Sequence, residues 1–172
     1  MADHDDQADQ RKWRDWLDRH GPALLLFARQ WSATRADAED ALQNGFLRFW
    51  KTADQARDPL PYLYACVRSA AMDIGRSQRR RDVREAASHY RSVESSAFQQ
   101  SLDRAERQAL IEAALNQLPG DQREVVVMKI WGGLTFAQIG AALNVPLNTA
   151  ASRYRYALAR LANELCEELA NE

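Results

Sequence analysis

Apolar residues recur along this chain at the spacing of helix faces. From Trp13 to Trp31, over residues 35–52 and again from Pro61 onward, apolar positions return every three to four residues, which is the period of an α-helix. No stretch alternates apolar and polar residues with the β-branched side chains that are typical of a strand. The pattern therefore predicts an all-α protein without a sheet.

Polar segments and turn residues predict where the first helices begin and end. Residues 1–10 are polar and acidic, and we expect them to form a disordered tail. The Gly-Pro pair at 21–22 is expected to interrupt the first helix. Thr34, with Asp37 three residues later, predicts the start of the second helix. Residues 53–60 then form a loop before a long third helix.

The last third of the chain predicts three helices that end in a helix-turn-helix. Asp121 and Glu124 have the spacing of a capping box in front of the apolar run at 125–128. The glycine pair at 132–133 is expected to end that helix, because glycine adopts positive φ at little cost.

A second helix and a tight turn follow. Thr135 and Gln138 form another capping-box pair, with apolar residues at helical spacing behind them. Residues 144–146 predict a short turn, and Asn148 is expected to cap the last helix.

On a helical wheel the last helix has an apolar side and a polar side. The expected core side holds Ala150, Tyr154, Ala157, Leu158, Leu161 and Leu165. The opposite side holds Ser152, Tyr156 and Ala159, flanked by Asn148 and Arg155 on one edge and by Arg153 and Arg160 on the other. Such a face suits the DNA major groove, because its middle can approach base edges while its flanks meet phosphates. The alternative is an amphipathic helix with a solvated face.

The composition supports packed helical cores and reveals an uneven distribution of charge. Hydrophobic residues make up 46% of the 172 residues, with only 7 Gly and 5 Pro, which argues against wholesale disorder. The net charge is −1, yet residues 76–84 contain five arginines and one acid. Local basic patches on a nearly neutral chain favour a protein that contacts DNA with help from a larger partner.

The reactive residue types do not form a recognisable site. His4, His20 and His89 are scattered, and Cys66 and Cys166 lack the spacing of metal ligands or of a disulfide framework. We therefore expect no enzyme activity, no metal, no cofactor and no small-molecule substrate. No apolar run approaches the ~20 residues that span a bilayer, and the acidic start is unlike a signal peptide. A cytoplasmic protein without membrane insertion is expected.

A polar segment divides the chain into two parts. Residues 85–106 lose helical periodicity and gain Ser, Gln and mixed charge, as expected of a flexible linker. The predicted architecture is two small helical domains, residues 11–84 and residues 107–172, with the helix-turn-helix in the second.

Several segments resemble bacterial sigma factors of the extracytoplasmic-function (ECF) type. LPGDQREVVVMK, GLTFAQIGAAL and VPLNTAASR resemble the domain that binds the promoter −35 element. DAEDALQNGFLRFW (37–50) resembles the polymerase-binding helix, and PYLYACVRSAAMDIGRSQRRR (61–81) resembles the −10-binding helix. The resemblance implies a transcription initiation factor that binds core RNA polymerase (β′ and β subunits) and promoter DNA and assists strand opening. It also implies an anti-sigma factor as a partner.

The helix 35–52 is the expected protein-binding element. Phe46, Leu47 and Trp50 widen its apolar sector beyond what a small core requires, unless the first helix and the following loop cover them. The resemblance implies that a β′ coiled coil is bound by Asp40, Gln43, Asn44 and Leu47. The family usually has Glu where this chain has Asn44, so a weaker polymerase contact is expected.

The third helix is the expected −10 reader. The resemblance and the basic, exposed side of the wheel assign this role to Tyr62, Tyr64, Arg68, Ser69, Arg76, Arg79 and Arg80. The two tyrosines suit stacking on unpaired bases, with core packing as the alternative. The arginines at 79–81 equally suit the dipole of a helix C-terminus. The family usually has Trp and Asn at positions 62 and 69, so a changed −10 preference is expected.

The last helix is the expected −35 reader, through Asn148, Thr149, Ser152, Arg153, Arg155, Tyr156 and Arg160. Arg153 matches a family arginine and is expected to bind phosphate, while Ser152 and Arg155 are the expected base contacts. The family commonly has basic residues at positions 151 and 156, and their absence reduces the electrostatic attraction to DNA. Two alternatives stay open: a stand-alone helix-turn-helix regulator, and a sigma-like interaction module that has lost promoter binding.

Overall fold

The computed structural model describes residues 3–52, 56–85 and 110–170, with side chains over 16–52, 56–80 and 110–163. All regular structure within these ranges is helical, and the prediction of an all-α fold is confirmed. The helices are α1 (Asp3–Arg29), α2 (Arg35–Trp50), α3 (Pro59–Glu85), α4 (110–116), α5 (Gly120–Ile130), α6 (Phe136–Leu143) and α7 (Leu147–Ala170). Apart from its first residue, which ends α3, the predicted linker 85–106 lies outside the described residues.

Helix α1 differs from the prediction in two places. It begins at Asp3, so residues 3–10 are helical, and it continues through Pro22 without interruption. Acidic residues in a first helical turn interact favourably with the helix dipole. Past the proline, α1 is anchored by its buried residues Leu24 and Phe27, and this packing offsets the backbone hydrogen bond that a proline removes.

Helix α2 begins as predicted, and α3 begins slightly earlier. The Thr34 side chain accepts a hydrogen bond from the Asp37 backbone N–H, and the Asp37 carboxylate accepts one from the Thr34 N–H. Helix α3 starts at Pro59 rather than near Pro61. Proline is tolerated there because the first turn of a helix has no partner for the missing N–H.

Helices α2 and α3 approach each other closely at Gly45. A Cβ atom at this position would lie only 2.7 Å from the Cα of Val67. The absence of a side chain therefore lets the two backbones meet, and it fixes the orientation of the opposite, exposed face of α2.

The predicted capping box of α5 is wrong. Helix α5 begins at Gly120 with Pro119 as its N-cap residue, and no side chain caps it. The side chains of Asp121 and Glu124 instead bind arginines elsewhere in the fold. As predicted, the helix ends before the glycine pair, where Gly133 has a φ of +67°.

The helix-turn-helix forms with one correction. The Thr135–Gln138 capping box of α6 is present in both directions. Asn144 ends α6 in the left-handed conformation, and α7 begins at Leu147. Asn148 therefore lies inside the first turn of α7 and does not cap it.

The hydrophobic core runs through both halves of the chain. One cluster of buried residues joins α1, α2 and α3 to the helices of the C-terminal half. The ring of Phe27 packs edge-on against Tyr64, with ring centroids 5.1 Å apart. Tyr64 in turn meets Gly132, where an added Cβ would lie 2.5 Å from the tyrosine hydroxyl.

Candidate protein and nucleic-acid interfaces

The solvent-exposed face of α2 carries both polar and apolar side chains. The side that packs into the core consists of Ala38, Ala41, Gly45 and Phe49. Asp40, Gln43, Asn44 and Leu47 are all exposed, so the structure brings the four predicted polymerase contacts together on the other side.

Two large apolar residues lie within or beside this exposed face. Leu47 is 62% exposed and Trp50 is 59% exposed. Phe46 differs, because Trp16 of α1 packs edge-on against it with ring centroids 6.2 Å apart. The first helix therefore covers Phe46 and leaves Leu47 and Trp50 accessible, which is the arrangement of a protein-binding surface.

The exposed side of α3 carries five of the seven predicted −10 residues. Tyr62, Ser69 and Arg76 are spaced seven residues apart and share one side of the helix. Arg79 and Arg80 are exposed near its end. The hydroxyl of Tyr62 lies 2.8 Å from Thr52 Oγ1, and this hydrogen bond orients the ring.

A polar network that the sequence did not predict joins α2 to this side of α3. The guanidinium of Arg48 donates to Ser69 Oγ at 3.1 Å and to Asp73 Oδ2 at 2.8 Å. Arg76 donates to the other carboxylate oxygen of Asp73 at 3.1 Å. Sequence periodicity could not predict that Arg48 lies beside these α3 residues, because it reaches them only through the packing of α2 on α3.

Two predicted −10 residues lie elsewhere, at the contact between the two halves. Tyr64 is fully buried, so it cannot stack on a base in this arrangement. Its ring packs in the core instead. Arg68 donates from Nε to Glu124 Oε1 at 2.9 Å, and its guanidinium lies over the Trp31 ring, 5.2 Å from the centroid. Arg68 therefore contacts the C-terminal half and is only partly exposed to solvent.

Glu124 is the buried acid of this contact. Its side chain is only 2% exposed, compared with 32% for Arg68. Burial raises the pKa of the Glu124 carboxyl, because desolvation outweighs the hydrogen bond from Arg68 and the positive charges of Arg68 and Arg153. The nearby carboxylate of Asp121 raises the pKa further. The pair thus fixes the geometry of the contact without adding much net stability.

Other polar contacts connect the same two halves. Arg29 of α1 forms an ion pair with Glu112 of α4 at 2.7 Å. The Gln138 amide, which also caps α6, donates to Asp58 ahead of α3 at 2.8 Å. Each contact pairs residues more than 75 positions apart, so sequence patterns could not reveal them.

Helix α7 carries the predicted −35 residues. Asn148, Arg155, Tyr156 and Arg160 are exposed, whereas Thr149, Ser152 and Arg153 are half-buried. The Arg155 guanidinium lies over the ring of Tyr156, 5.4 Å from its centroid. The buried side contains Ala150 and Ala157. Leu158 was predicted to lie in the core but is 40% exposed, and the side chain of Leu165 lies outside the described residues.

Arg153 is engaged within the C-terminal half. Its Nε lies 3.1 Å from Asp121 Oδ2. Because Asp121 belongs to α5, this ion pair ties the predicted −35 helix to the helix that also carries Glu124. Two carboxylates in the first turns of α5 therefore each pair with an arginine, one from each predicted DNA-binding helix.

The described residues contain no group of three or more His, Cys, Asp and Glu side chains arranged to hold a metal ion. Among the helices that the structure describes, none is long and apolar enough to cross a bilayer. Cys66 is a free, buried thiol, and Cys166 lies outside the described side chains.

Two family models match the chain in the order of its helices. The model for Sigma-70 region 2 matches residues 16–81, which include the second half of α1, all of α2 and most of α3. The model for Sigma-70, region 4 matches residues 108–161, which include the helix-turn-helix.

Known proteins resemble the chain over most of its length. The ECF RNA polymerase sigma factor SigL of Mycobacterium tuberculosis is 31% identical over 161 residues, covering 90% of this chain and 89% of SigL. A solved structure of the sigma factor RpoE in complex with the anti-sigma factor NepR from Bartonella quintana has a TM-score of 0.64 at 25% identity, covering 90% of this chain and 97% of that chain. The fold of CnrH, solved in complex with the cytosolic domain of CnrY, gives a TM-score of 0.64 at 22% identity, covering 92% of this chain and 90% of CnrH. This chain therefore belongs to the ECF RNA polymerase sigma factors and is a transcription initiation factor, not an enzyme.

Proposed function

We propose that the exposed face of α2 is the polymerase-binding surface of this sigma factor. The observation that carries the proposal is the exposure of Leu47 beside Asp40, Gln43 and Asn44, while the opposite side of α2 is fully packed. An apolar centre with a polar rim is the usual composition of a protein-binding patch. The resemblance assigns the same four positions to a coiled coil of the β′ subunit.

Titration of labelled protein with purified core polymerase tests this surface. Leu47→Ala is expected to weaken binding about tenfold, as removal of a central apolar contact typically does. Leu17→Ala is the matched control, because Leu17 is another exposed leucine, on α1. Equal affinities for the two variants would refute the assignment of the α2 face.

We further propose that residues 11–84 and residues 107–172 act as two promoter-reading units. In the first unit, Tyr62, Ser69, Arg76, Arg79 and Arg80 form the exposed part of the −10 surface. In the second unit, α7 enters the −35 major groove with Ser152 and Arg155 toward the bases and Arg153 toward phosphate. Tyr64 and Arg68 join the −10 surface only when the two units separate, since both lie at their contact.

Run-off transcription tests promoter recognition directly. Core polymerase is incubated with a fragmented genomic library, with and without this protein. Discrete new start sites are expected, and alignment of the DNA upstream of them gives both promoter elements. If core polymerase is bound but no new transcript appears, the promoter-reading proposal is refuted and the interaction-module alternative is favoured.

An anti-sigma factor is proposed as a further partner. The sigma factor RpoE was solved in complex with the anti-sigma factor NepR, and the arrangement of its helices resembles this one over 90% of the present chain. We propose that the protein acts in the cytoplasm, where polymerase and promoter DNA are found.

A further inference from the structure

The first turns of α5 contain two carboxylates that hold arginines from both proposed DNA-binding helices. Asp121 binds Arg153 of α7 at 3.1 Å, and Glu124 binds Arg68 of α3 at 2.9 Å. Neither carboxylate caps α5, although their spacing would allow it. Their use in the fold is therefore to pair with these two arginines.

A carboxylate and a phosphate compete for the same guanidinium. Both are oxygen anions that accept charge-assisted hydrogen bonds from arginine. The Arg68 guanidinium lies between the Trp31 ring and Glu124, and Glu124 is almost completely buried. The Arg68 side chain is 32% exposed, so a phosphate that approaches it must displace Glu124 from the guanidinium group.

We propose that Asp121 and Glu124 form an internal DNA mimic that restrains the free sigma factor. Glu124 occupies Arg68 of the −10 surface across the contact between the halves, and Asp121 occupies Arg153 of the −35 surface within the C-terminal half. Promoter DNA must displace both carboxylates. The inference rests on the proposed promoter-reading function. It assigns the restraint to the chain's own residues, so that a closed state exists without an anti-sigma factor.

The closed state has further support from the contact between the halves. Gly132 leaves room for Tyr64 where an added Cβ would lie 2.5 Å from the tyrosine hydroxyl, and Arg29 pairs with Glu112 at 2.7 Å. These contacts position α5 against α3. The mimic therefore lies in a defined interface and not on a freely exposed helix.

The test measures DNA binding by the full-length protein in the absence of polymerase. Two probes of arbitrary sequence are used: a fluorescent oligothymidine strand for Arg68 and a fluorescent random-sequence duplex for Arg153. Sequence is unimportant because contacts to phosphate are independent of the bases. Glu124→Ala is expected to bind the single strand roughly tenfold more tightly than wild type, because Glu124 is buried and its removal releases Arg68. Asp121→Ala is expected to gain less affinity for the duplex, roughly threefold to fivefold, because the Asp121 side chain is exposed and such ion pairs are weaker.

Two control variants separate the release of an arginine from the loss of one negative charge and from the loss of an ion pair between the halves. Glu39→Ala removes an exposed carboxylate paired with Arg35 at 2.8 Å, so it changes the net charge equally at a remote position. Glu112→Ala makes the same charge change and breaks another ion pair between the halves without releasing a proposed DNA contact. Glu39→Ala is expected to bind both probes within about twofold of wild type, as exposed charge changes usually have small effects. Glu112→Ala is expected to gain less affinity for the single strand than Glu124→Ala, because it weakens the contact between the halves but leaves Arg68 paired with Glu124.

The outcomes are distinct. If Glu124→Ala gains no more affinity than Glu39→Ala or Glu112→Ala, or if Asp121→Ala gains no more than Glu39→Ala, the internal mimic is overturned. If circular dichroism shows that Glu124→Ala does not fold, Glu124→Gln replaces it under the same criterion, since a neutral amide holds a guanidinium less strongly.

Failure of the proposed function gives a different result. In that case wild type and all variants would bind neither probe and would direct no transcription with core polymerase, and the inference would fall as well. If the wild type supports promoter-specific transcription while the two alanine variants match their controls, only the inference is wrong.

Discussion

Replacing Gly45 by alanine tests how closely α2 and α3 approach each other. The new Cβ would lie 2.7 Å from Val67 Cα and 2.9 Å from Val67 N. Carbon atoms in contact normally stand ~3.5–4.0 Å apart, so the helices would have to separate by roughly 1 Å. Because the nearest atoms include backbone, rotation of a side chain cannot relieve the clash.

Two opposing effects set the expected magnitude. Alanine stabilises a helix by about 1 kcal/mol relative to glycine. Overpacking typically costs about 1–3 kcal/mol, and we expect the upper end because a backbone must move. The net change is a loss of about 2 kcal/mol in the free energy of unfolding, which lowers the Tm of a chain of this size by about 4–8 °C.

Gly75→Ala provides the matched control in the neighbouring helix. A Cβ at position 75 would meet only the carbonyl oxygen of Trp31, at 3.7 Å, which is an ordinary contact. This variant should therefore gain about 1 kcal/mol from helix propensity alone. Thermal unfolding followed by circular dichroism compares the two proteins. If Gly45→Ala melts at or above the temperature of Gly75→Ala, the close approach of α2 and α3 is refuted.

Three further predictions concern the buried contact between the halves and the proposed −35 surface. Tyr64→Phe is expected to raise the free energy of unfolding by about 1 kcal/mol, because the buried hydroxyl has no hydrogen-bond partner among the described residues; a lower Tm than wild type would contradict this. Burial raises the pKa of Glu124 above its unfolded value of about 4.3, so its stabilising contribution is complete below about pH 4 and is lost as pH rises through the raised folded value. Urea unfolding measured from about pH 4 upward should therefore show wild type losing stability relative to Glu124→Gln as the pH rises. Parallel curves of stability against pH for the two proteins would disprove the effect. Arg155→Ala should reduce discrimination at one −35 position by about 1–3 kcal/mol, measured by selection from a randomised duplex, whereas an equal loss on all sequences would identify a phosphate contact.

Several features of the fold could be predicted because their causes are local. The Thr34–Asp37 and Thr135–Gln138 capping boxes form as expected, since each joins a side chain to a backbone group three residues away. The exposed side of α2 also follows from periodicity, because a helix with one buried face must present the other to solvent or to a partner.

Local patterns failed where a distant residue competed for the same group. Asp121 and Glu124 have the same spacing as the two working capping boxes, yet α5 has no side-chain cap. Glu124 pairs instead with Arg68, which lies 56 positions away in the sequence. A capping hydrogen bond to an exposed backbone group contributes only about 1 kcal/mol, so a charged partner that becomes available through packing can displace it.

The sequence alone determined the helices, their polar and apolar faces and the order of the two family motifs, because helical periodicity and capping depend on residues within about one or two turns. The tertiary structure alone decided that Tyr64 and Arg68, predicted to face DNA, lie in the contact between the two halves. It also decided that Arg48 reaches the proposed −10 surface. Burial and ion pairing between residues far apart in the chain depend on how helices pack, and no local pattern contains that information.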